Sequence, residues 1–138
     1  MKSSTTVEEL SIMQRLTSAD PSWADTLTDE EKLEAMWDWT LWARPKQLAP
    51  EGDWRVWLIL AGRGFGKTRS GAEWVRQKVQ QGQANRIALV GATAADVRDT
   101  MVEGESGLLR IFPAGERPQY EPSKRRITFH NGAKATTF

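Results

Sequence analysis

The sequence has 138 residues, a length that suits one domain, and a formal net charge of +1. This balance excludes a chain that coats nucleic acid over its whole surface, so any contact with DNA requires a local basic patch. The chain has no cysteine and one histidine, which excludes a disulfide framework, a thiolate zinc site and a cysteine nucleophile. No apolar run is long enough to span a membrane and no signal-peptide pattern opens the chain, so we expect a soluble intracellular protein.

Residues 1–43 form the first predicted region, and their patterns are helical. Residues 7–16 carry a short helical repeat of apolar positions. Thr28 and Glu31 have the spacing of a capping box, in which the threonine caps a helix start and the glutamate reaches back. This second helix is predicted to continue to about residue 43 and to bury one face in a core. That face carries Leu33, Met36, Trp37, Thr40 and Leu41.

Residues 61–68 have the sequence AGRGFGKT, which has the composition of a phosphate-binding loop. An apolar run over residues 56–60 precedes it and a helical pattern over residues 68–81 follows, which is the strand–loop–helix layout of a P-loop. Glycines let the backbone approach phosphates closely, and the helix start adds N–H groups and a positive dipole end. In such a loop Lys67 would reach the outer phosphates, and the Thr68 hydroxyl would hold Mg²⁺.

The loop departs from the usual pattern G-x-x-x-x-G-K-T at its first position, which is Ala61. Gly62 and Gly64 lie close by, so backbone freedom is relocated within the loop. A glycine-rich turn without a ligand is the alternative interpretation. The strand pattern before the loop and the helix pattern after it favour the phosphate site.

A turn-rich connector over residues 44–53 lies just before the predicted P-loop strand. Gln47 in this connector could read the edge of an adenine ring, because its amide both donates and accepts hydrogen bonds. A solvated linker explains the same composition, so these residues leave both interpretations open.

The helix after the loop is followed by a second predicted strand. The helix places Glu73 and Gln77 on its outward face, and Gly82 is the expected C-terminal stop. The apolar run over residues 86–91 suits a strand that is buried on both faces. Strand, helix and strand would then form a right-handed parallel βαβ unit. The apolar positions of the helix, spaced for one buried face, are Ala72, Val75 and Val79.

The last part of the chain predicts a β-hairpin. Residues 94–102 carry one more capped helix, and residues 119–121 are short and extended. Residues 125–130 alternate between apolar and polar side chains, and the Asn-Gly pair at 131–132 is a strong hairpin signal. Residues 133–138 form the returning strand.

The run Lys124-Arg125-Arg126 at the start of this hairpin is a small basic patch. A solvated strand start is its usual meaning, and a contact with DNA is the alternative. His130, near the hairpin turn, is interpreted as structural.

Residues 60–74, LAGRGFGKTRSGAEW, resemble the P-loop region of phage terminase large subunits, in particular the branch found in prophages and gene transfer agents. Residues 42–47, WARPKQ, resemble the adenine-side segment of that family, and residues 96–109 and 120–126 resemble segments that follow its loop. The likeness runs from about residue 37 onward. An arginine inside the P-loop is uncommon among nucleotide hydrolases, which makes the resemblance specific.

Together, the patterns and the resemblance predict an α/β fold: a partial P-loop NTPase with a parallel βαβ core. Residues 1–43 would be an N-terminal helical region, and residues 44–138 an incomplete ATPase domain that ends in the β-hairpin. The resemblance implies an ATP-driven motor that pumps viral DNA into a capsid. Its implied partners are double-stranded DNA, a portal protein and a small terminase subunit. The family further implies a homo-oligomeric ring in the cytoplasm of a bacterial host, with no membrane contact.

Carried over residue by residue, the resemblance implies an ATP and Mg²⁺ site on the loop. Arg63 would lie beside the γ-phosphate as a charge stabiliser or sensor, and Gln47 would touch adenine. Arg63 and Lys67 are therefore the predicted catalytic residues, and Thr68 is the predicted ligand of Mg²⁺. The predicted nucleotide-binding residues are Gln47, Gly62, Arg63, Gly64, Phe65, Gly66, Lys67 and Thr68.

Two parts of the family pattern are missing. No apolar strand that ends in Asp-Glu follows the loop, although such a pair orients Mg²⁺ and activates water. No carboxylate cluster suits a two-metal nuclease either. We therefore expect the N-terminal part of a longer protein, which binds ATP but lacks measurable ATPase activity alone. The alternatives are an inert truncated remnant and a fragment of another P-loop NTPase. The acidic residues that follow no such strand are Asp96, Asp99, Glu103 and Glu105.

Overall fold

The computed structural model describes residues 21–138, which form a mixed α/β structure. The chain divides into two compact units, Met1–Trp42 and Ala43–Phe138, which are described separately below. The helix predicted over residues 7–16 lies outside the described residues. Within the described part, no helix is both long enough and apolar enough to cross a lipid bilayer.

In the first unit a 3₁₀ turn, Pro21–Thr26, leads into helix α1, Asp29–Trp37. The predicted capping box is confirmed. The backbone N–H of Glu31 donates to the Thr28 hydroxyl at 3.2 Å, and the backbone N–H of Thr28 donates to the Glu31 carboxylate at 2.8 Å. These two bonds satisfy donors that the helix start leaves unpaired.

The prediction of one long helix with a buried apolar face is wrong. α1 ends before Asp38, whose carboxylate accepts hydrogen bonds from the backbone and the hydroxyl of Thr40, and a short helix α2, Trp39–Trp42, follows. A side chain that accepts from the backbone two residues ahead in this way competes with helix continuation. Leu33 is 57 % exposed and Met36 is 65 % exposed, while Ala35 is buried.

The second unit contains the remaining helices and strands. Helix α3 is Lys67–Gln80, and α4 is Ala94–Asp96, which continues as a π-helical segment, Val97–Val102. Gly82 stops α3 as predicted, with φ of 69° and its N–H on the Val79 carbonyl. The strands are β1 Arg86–Leu89, β2 Gln119–Glu121, β3 Arg126–Thr128 and β4 Lys134–Thr137. Short 3₁₀ turns cover Pro45–Gln47, Ala114–Glu116 and Pro122–Lys124.

The four strands form a mixed sheet in the order β1-β4-β3-β2. β1 and β4 are parallel, and the other neighbours are antiparallel. The predicted hairpin is confirmed. Its loop is closed by the Phe129 N–H on the Ala133 carbonyl at 2.9 Å, and Gly132 adopts φ of 87°. The side chain of Asn131 donates to the Val79 carbonyl at 2.8 Å, which fastens the hairpin to the end of α3.

The strand predicted before the loop, over residues 56–60, is wrong. This segment is extended but makes no backbone ladder within the described residues. A strand exists only where a neighbour supplies hydrogen-bond partners, so apolar and β-branched composition alone is not enough. Val56, Leu58 and Leu60 are 81 %, 71 % and 85 % exposed. The predicted βαβ unit is therefore not formed, and the parallel pair is β1 with β4.

The prediction that the sheet is buried on both faces is also wrong. Along β1, Ile87 is partly buried and Leu89 is buried, whereas Arg86 and Ala88 are exposed. Side chains alternate between the two faces of a strand, so one face of the sheet forms the core and the other is open. The core unites α3, the π-helical segment and the inner face of the sheet. Its largest fully buried apolar side chains are Leu108, Ile111, Ile127, Val97 and Val102.

Candidate nucleotide-binding site

The glycine-rich loop runs directly into the start of α3, which begins at Lys67. Gly64 has φ of 78° and Gly66 has φ of 89°, a left-handed conformation that other residues rarely adopt. Ala61 is not among the residues with positive φ. The departure from the usual motif at Ala61 therefore causes no backbone strain.

Several backbone N–H groups of the loop have no partner in the described chain. No described acceptor receives a hydrogen bond from the N–H groups of residues 63–68. The first backbone bond of α3 runs from Ser70 N to Gly66 O at 2.9 Å. The loop and the first turn of the helix thus present a group of donors at one place, as an anion-binding site requires.

Lys67 lies within the loop, because its ammonium group donates to the carbonyl oxygens of Ala61 at 2.7 Å and Gly62 at 2.8 Å. Arg63 is exposed on the turn and makes no ion pair within the described residues. Thr68 is partly buried on the first turn of α3. The structure therefore brings the predicted phosphate and metal residues together on one loop.

The segment before the loop contacts it through two side chains. Gln47 is only 8 % exposed, and its amide nitrogen donates to the Phe65 carbonyl at 2.8 Å. The Arg44 guanidinium donates to the same carbonyl at 2.6 Å and lies 5.1 Å from the centroid of the Phe65 ring. The resemblance in the sequence predicted a contact of Gln47 with adenine. It did not single out Arg44, because no motif marks an arginine that acts through a backbone carbonyl.

A cleft of about 360 Å³ lies beside the loop. Arg44, Pro45, Lys46 and Phe65 line it, so its walls include one proline ring and one aromatic ring. Planar apolar walls with a few charged groups nearby are typical of ligand pockets. The cleft therefore continues the loop on the side that faces the 44–47 segment.

Residues 58–138 match a protein family described as terminase large subunit, T4likevirus-type, N-terminal. The match covers more than half of the sequence. The chain belongs to this terminase family. No curated protein and no solved structure matches the chain.

A buried cluster of charged side chains on α3 follows the glycine-rich loop. The prediction that Glu73 faces outward is therefore wrong. Glu73 is 3 % exposed, and its carboxylate pairs with Arg69 at 2.8 Å and with Arg76 at 3.3 Å. A buried carboxylate is tolerated when it is paired and hydrogen-bonded. The sequence did contain a signal for this pairing, because arginines lie four residues before and three residues after Glu73 on the same helix. Gln77 is exposed, as predicted.

The basic patch is partly neutralised by an acidic neighbour. Glu121 pairs with Lys124 at 2.6 Å and with Arg126 at 2.9 Å. Hydrogen bonds from Lys124 and then Arg126 hold the pKa of the Glu121 carboxyl below its ordinary value. This pairing weakens the interpretation of the patch as a DNA contact, since two of its three cations already share a carboxylate.

The acidic residues after the loop form local pairs. Asp96 accepts from the Thr93 hydroxyl at 2.7 Å at the start of α4, and Asp99 accepts from Arg98 at 2.7 Å. The hydrogen bond from Arg98 lowers the pKa of Asp99. Across residues 21–138, no three carboxylate, histidine or cysteine groups converge as a metal site.

Proposed function

We propose that this terminase chain binds ATP with Mg²⁺ through residues 61–68, as the ATPase part of a motor that packages viral DNA. One observation carries the proposal. A loop with two left-handed glycines runs straight into α3 and presents the N–H groups of residues 63–68, which have no partner in the described chain. Membership in the terminase family supports the assignment to packaging.

The donor set of the loop suits a polyphosphate. Backbone N–H groups would bind the phosphate oxygens, and the Lys67 ammonium would exchange its two carbonyl partners for the outer phosphates. The Thr68 hydroxyl would hold Mg²⁺, which supplies charge neutralisation on the outer phosphates when bound. Arg63 is exposed beside these groups, so its guanidinium is available as a charge stabiliser at the γ-phosphate.

The cleft beside the loop is the proposed site of the base. Its volume of about 360 Å³ is ample for a purine, and Pro45 and Phe65 offer flat surfaces against which a ring packs. Gln47 follows the lining residue Lys46 and bonds the carbonyl of the lining residue Phe65. One N–H of its amide is engaged by Phe65, so the second remains for the adenine edge that the family resemblance implies.

Family membership also supports the proposed partners, which are double-stranded DNA, a portal protein and a small terminase subunit. The working form would be a homo-oligomeric ring in the cytoplasm of a bacterial host. The described residues do not single out one DNA-contacting surface, because Glu121 already pairs with two cations of the basic patch.

Binding of Mg²⁺-ATP to the 138-residue chain tests the nucleotide site directly. Isothermal titration calorimetry should detect binding by the wild type, and the double variant Lys67→Ala, Thr68→Ala should bind about tenfold more weakly or worse. Lys134→Ala is the matched control, because it removes one exposed lysine from β4 and leaves the loop intact. Equal affinity of the double variant and the control would refute the P-loop assignment.

A further inference from the structure

Two side chains from one turn converge on a single carbonyl group of the loop. Gln47 donates to the Phe65 carbonyl oxygen at 2.8 Å, and Arg44 donates to the same oxygen at 2.6 Å. A carbonyl oxygen has two lone pairs, so both are used. The orientation of the peptide between Phe65 and Gly66 is thereby set from outside the loop.

The Gln47 amide is itself held in place. Its oxygen accepts from the Arg44 backbone N–H at 2.9 Å, and the residue is only 8 % exposed. A buried amide with both ends bonded has little freedom to rotate. The 3₁₀ turn Pro45–Gln47 adds rigidity, because proline fixes one backbone dihedral at its first position.

The contact also explains why residue 66 is glycine. A Cβ atom added to Gly66 would lie 2.7 Å from the Gln47 amide nitrogen, which is too close for any real side chain. Gly66 also has φ of 89°, which is costly for other residues. Gln47 therefore packs directly on the backbone turn that precedes α3.

We propose that Arg44 and Gln47 are positioning residues that hold the Phe65–Gly66 peptide so that the N–H groups of the loop face the phosphates. This inference rests on the proposed nucleotide site and deepens it. It assigns Gln47 an effect on the polyphosphate part of the ligand, whichever base is attached. Arg44 acts with it through the shared carbonyl oxygen of Phe65.

The test compares ATP with inorganic tripolyphosphate, which carries no base, each with Mg²⁺. Gln47→Met preserves the volume of the side chain and removes all three hydrogen bonds of the amide. It should weaken the binding of tripolyphosphate about tenfold and that of ATP at least as much, because the loop loses its support irrespective of the base. Arg44→Lys keeps the positive charge but loses the planar guanidinium group with its several N–H donors. It should therefore lower the affinity for both ATP and tripolyphosphate. Weakened ATP binding with unchanged tripolyphosphate binding would overturn the inference and leave adenine recognition as the role of Gln47.

A second measurement reports on the loop without any nucleotide. The carbonyl carbon resonance of Phe65 in the ligand-free protein should shift in Gln47→Met, while that of Ala84, on another loop, stays in place. If the wild type binds both ligands and the variants bind equally well, the positioning role is overturned and the nucleotide site stands. If the wild type binds neither ligand, both proposals are overturned. An unchanged Phe65 resonance would also overturn the positioning role.

Discussion

The ammonium nitrogen of Lys67 lies 2.8 Å from the carbonyl oxygen of Gly62, and it donates a second bond to Ala61 at 2.7 Å. The lysine that the motif assigns to phosphate is therefore held within the loop itself. A phosphate group would compete with two neutral carbonyls for a full positive charge. The bonds to the carbonyls have one charged partner, whereas a bond to phosphate has two and adds the direct attraction of opposite charges, so the phosphate should win this competition.

Gly66 and Gly62, two glycines of the loop, should differ strongly in their response to substitution by alanine. We predict that Gly66→Ala destabilises the fold by about 1–3 kcal/mol and lowers ATP affinity, because it forces a side chain into a left-handed conformation and against Gln47. Gly62→Ala is the control for stability, since a Cβ there contacts nothing within 4 Å and its φ is not positive. Denaturant unfolding and calorimetric titration measure both effects.

A double variant separates the two causes at Gly66. Gln47→Ala removes the steric contact but keeps the unfavourable φ, so Gly66→Ala should lower stability less in the Gln47→Ala background than in the wild type. If Gly62→Ala lowers the free energy of unfolding as much as Gly66→Ala does, the backbone conformation described for the loop is wrong.

The chain should bind ATP without turning it over. No Asp-Glu pair follows an apolar strand in the sequence, and Glu73, the buried carboxylate nearest to the loop in sequence, is committed to Arg69 and Arg76. Activation of the attacking water contributes a large share of the rate enhancement in phosphoryl transfer. We therefore predict no phosphate release above background from the purified 138-residue chain. Release that disappears in Lys67→Ala would contradict this prediction.

Local signals in the sequence were sufficient to predict the loop, the helix after it and the hairpin. The signals are the pair Gly66-Lys67 for the loop and helix start and the pair Asn131-Gly132 for the hairpin. Each depends only on residues that are neighbours in the sequence and needs no distant partner. The strand predicted over residues 56–60 was wrong for the opposite reason. Its strand composition is real, but a strand forms only with a neighbour, and the described residues supply none.

The support of the loop could be predicted only in part. Gln47 stood out because amides read bases, yet its bond to the Phe65 carbonyl depends on how the chain folds back over 18 positions. Arg44 lies in the segment that resembles the family but was given no role of its own, since an arginine in a turn is usually solvated. A contact between a side chain and a backbone group far away in the sequence has no characteristic spacing, so a single sequence does not predict it.

The buried charge cluster on α3 should contribute strongly to stability. Glu73 is 2 % exposed at its side chain and Arg76 is 10 % exposed, so neutralising the glutamate leaves a nearly buried cation without its counter-charge. We predict that Glu73→Gln lowers the free energy of unfolding by about 3 kcal/mol or more. Glu116→Gln, on an exposed 3₁₀ turn, is the matched control. A loss below about 1 kcal/mol would show that water reaches the cluster and replaces the carboxylate.

Glu121 should make the stability of the fold depend on acid pH. Hydrogen bonds from Lys124 and then Arg126 lower its pKa in the folded protein below the ordinary value of 4.5. A carboxyl with a lowered folded pKa stabilises the fold above its unfolded pKa, and this contribution is lost as the pH falls through the folded pKa. The stabilising contribution of Glu121 is therefore lost at pH values below about 4.5.

The Glu121→Gln variant removes this titration and should flatten the dependence of stability on pH in that window. Thermal unfolding midpoints measured from neutral pH downward test it, with Glu105→Gln as the control. Glu105 is exposed and forms no ion pair within residues 21–138. Because Glu121 joins Lys124 to Arg126 across the start of β3, high salt should reduce the difference between wild type and variant. Parallel pH curves for wild type and Glu121→Gln would show that the pairing does not persist in solution.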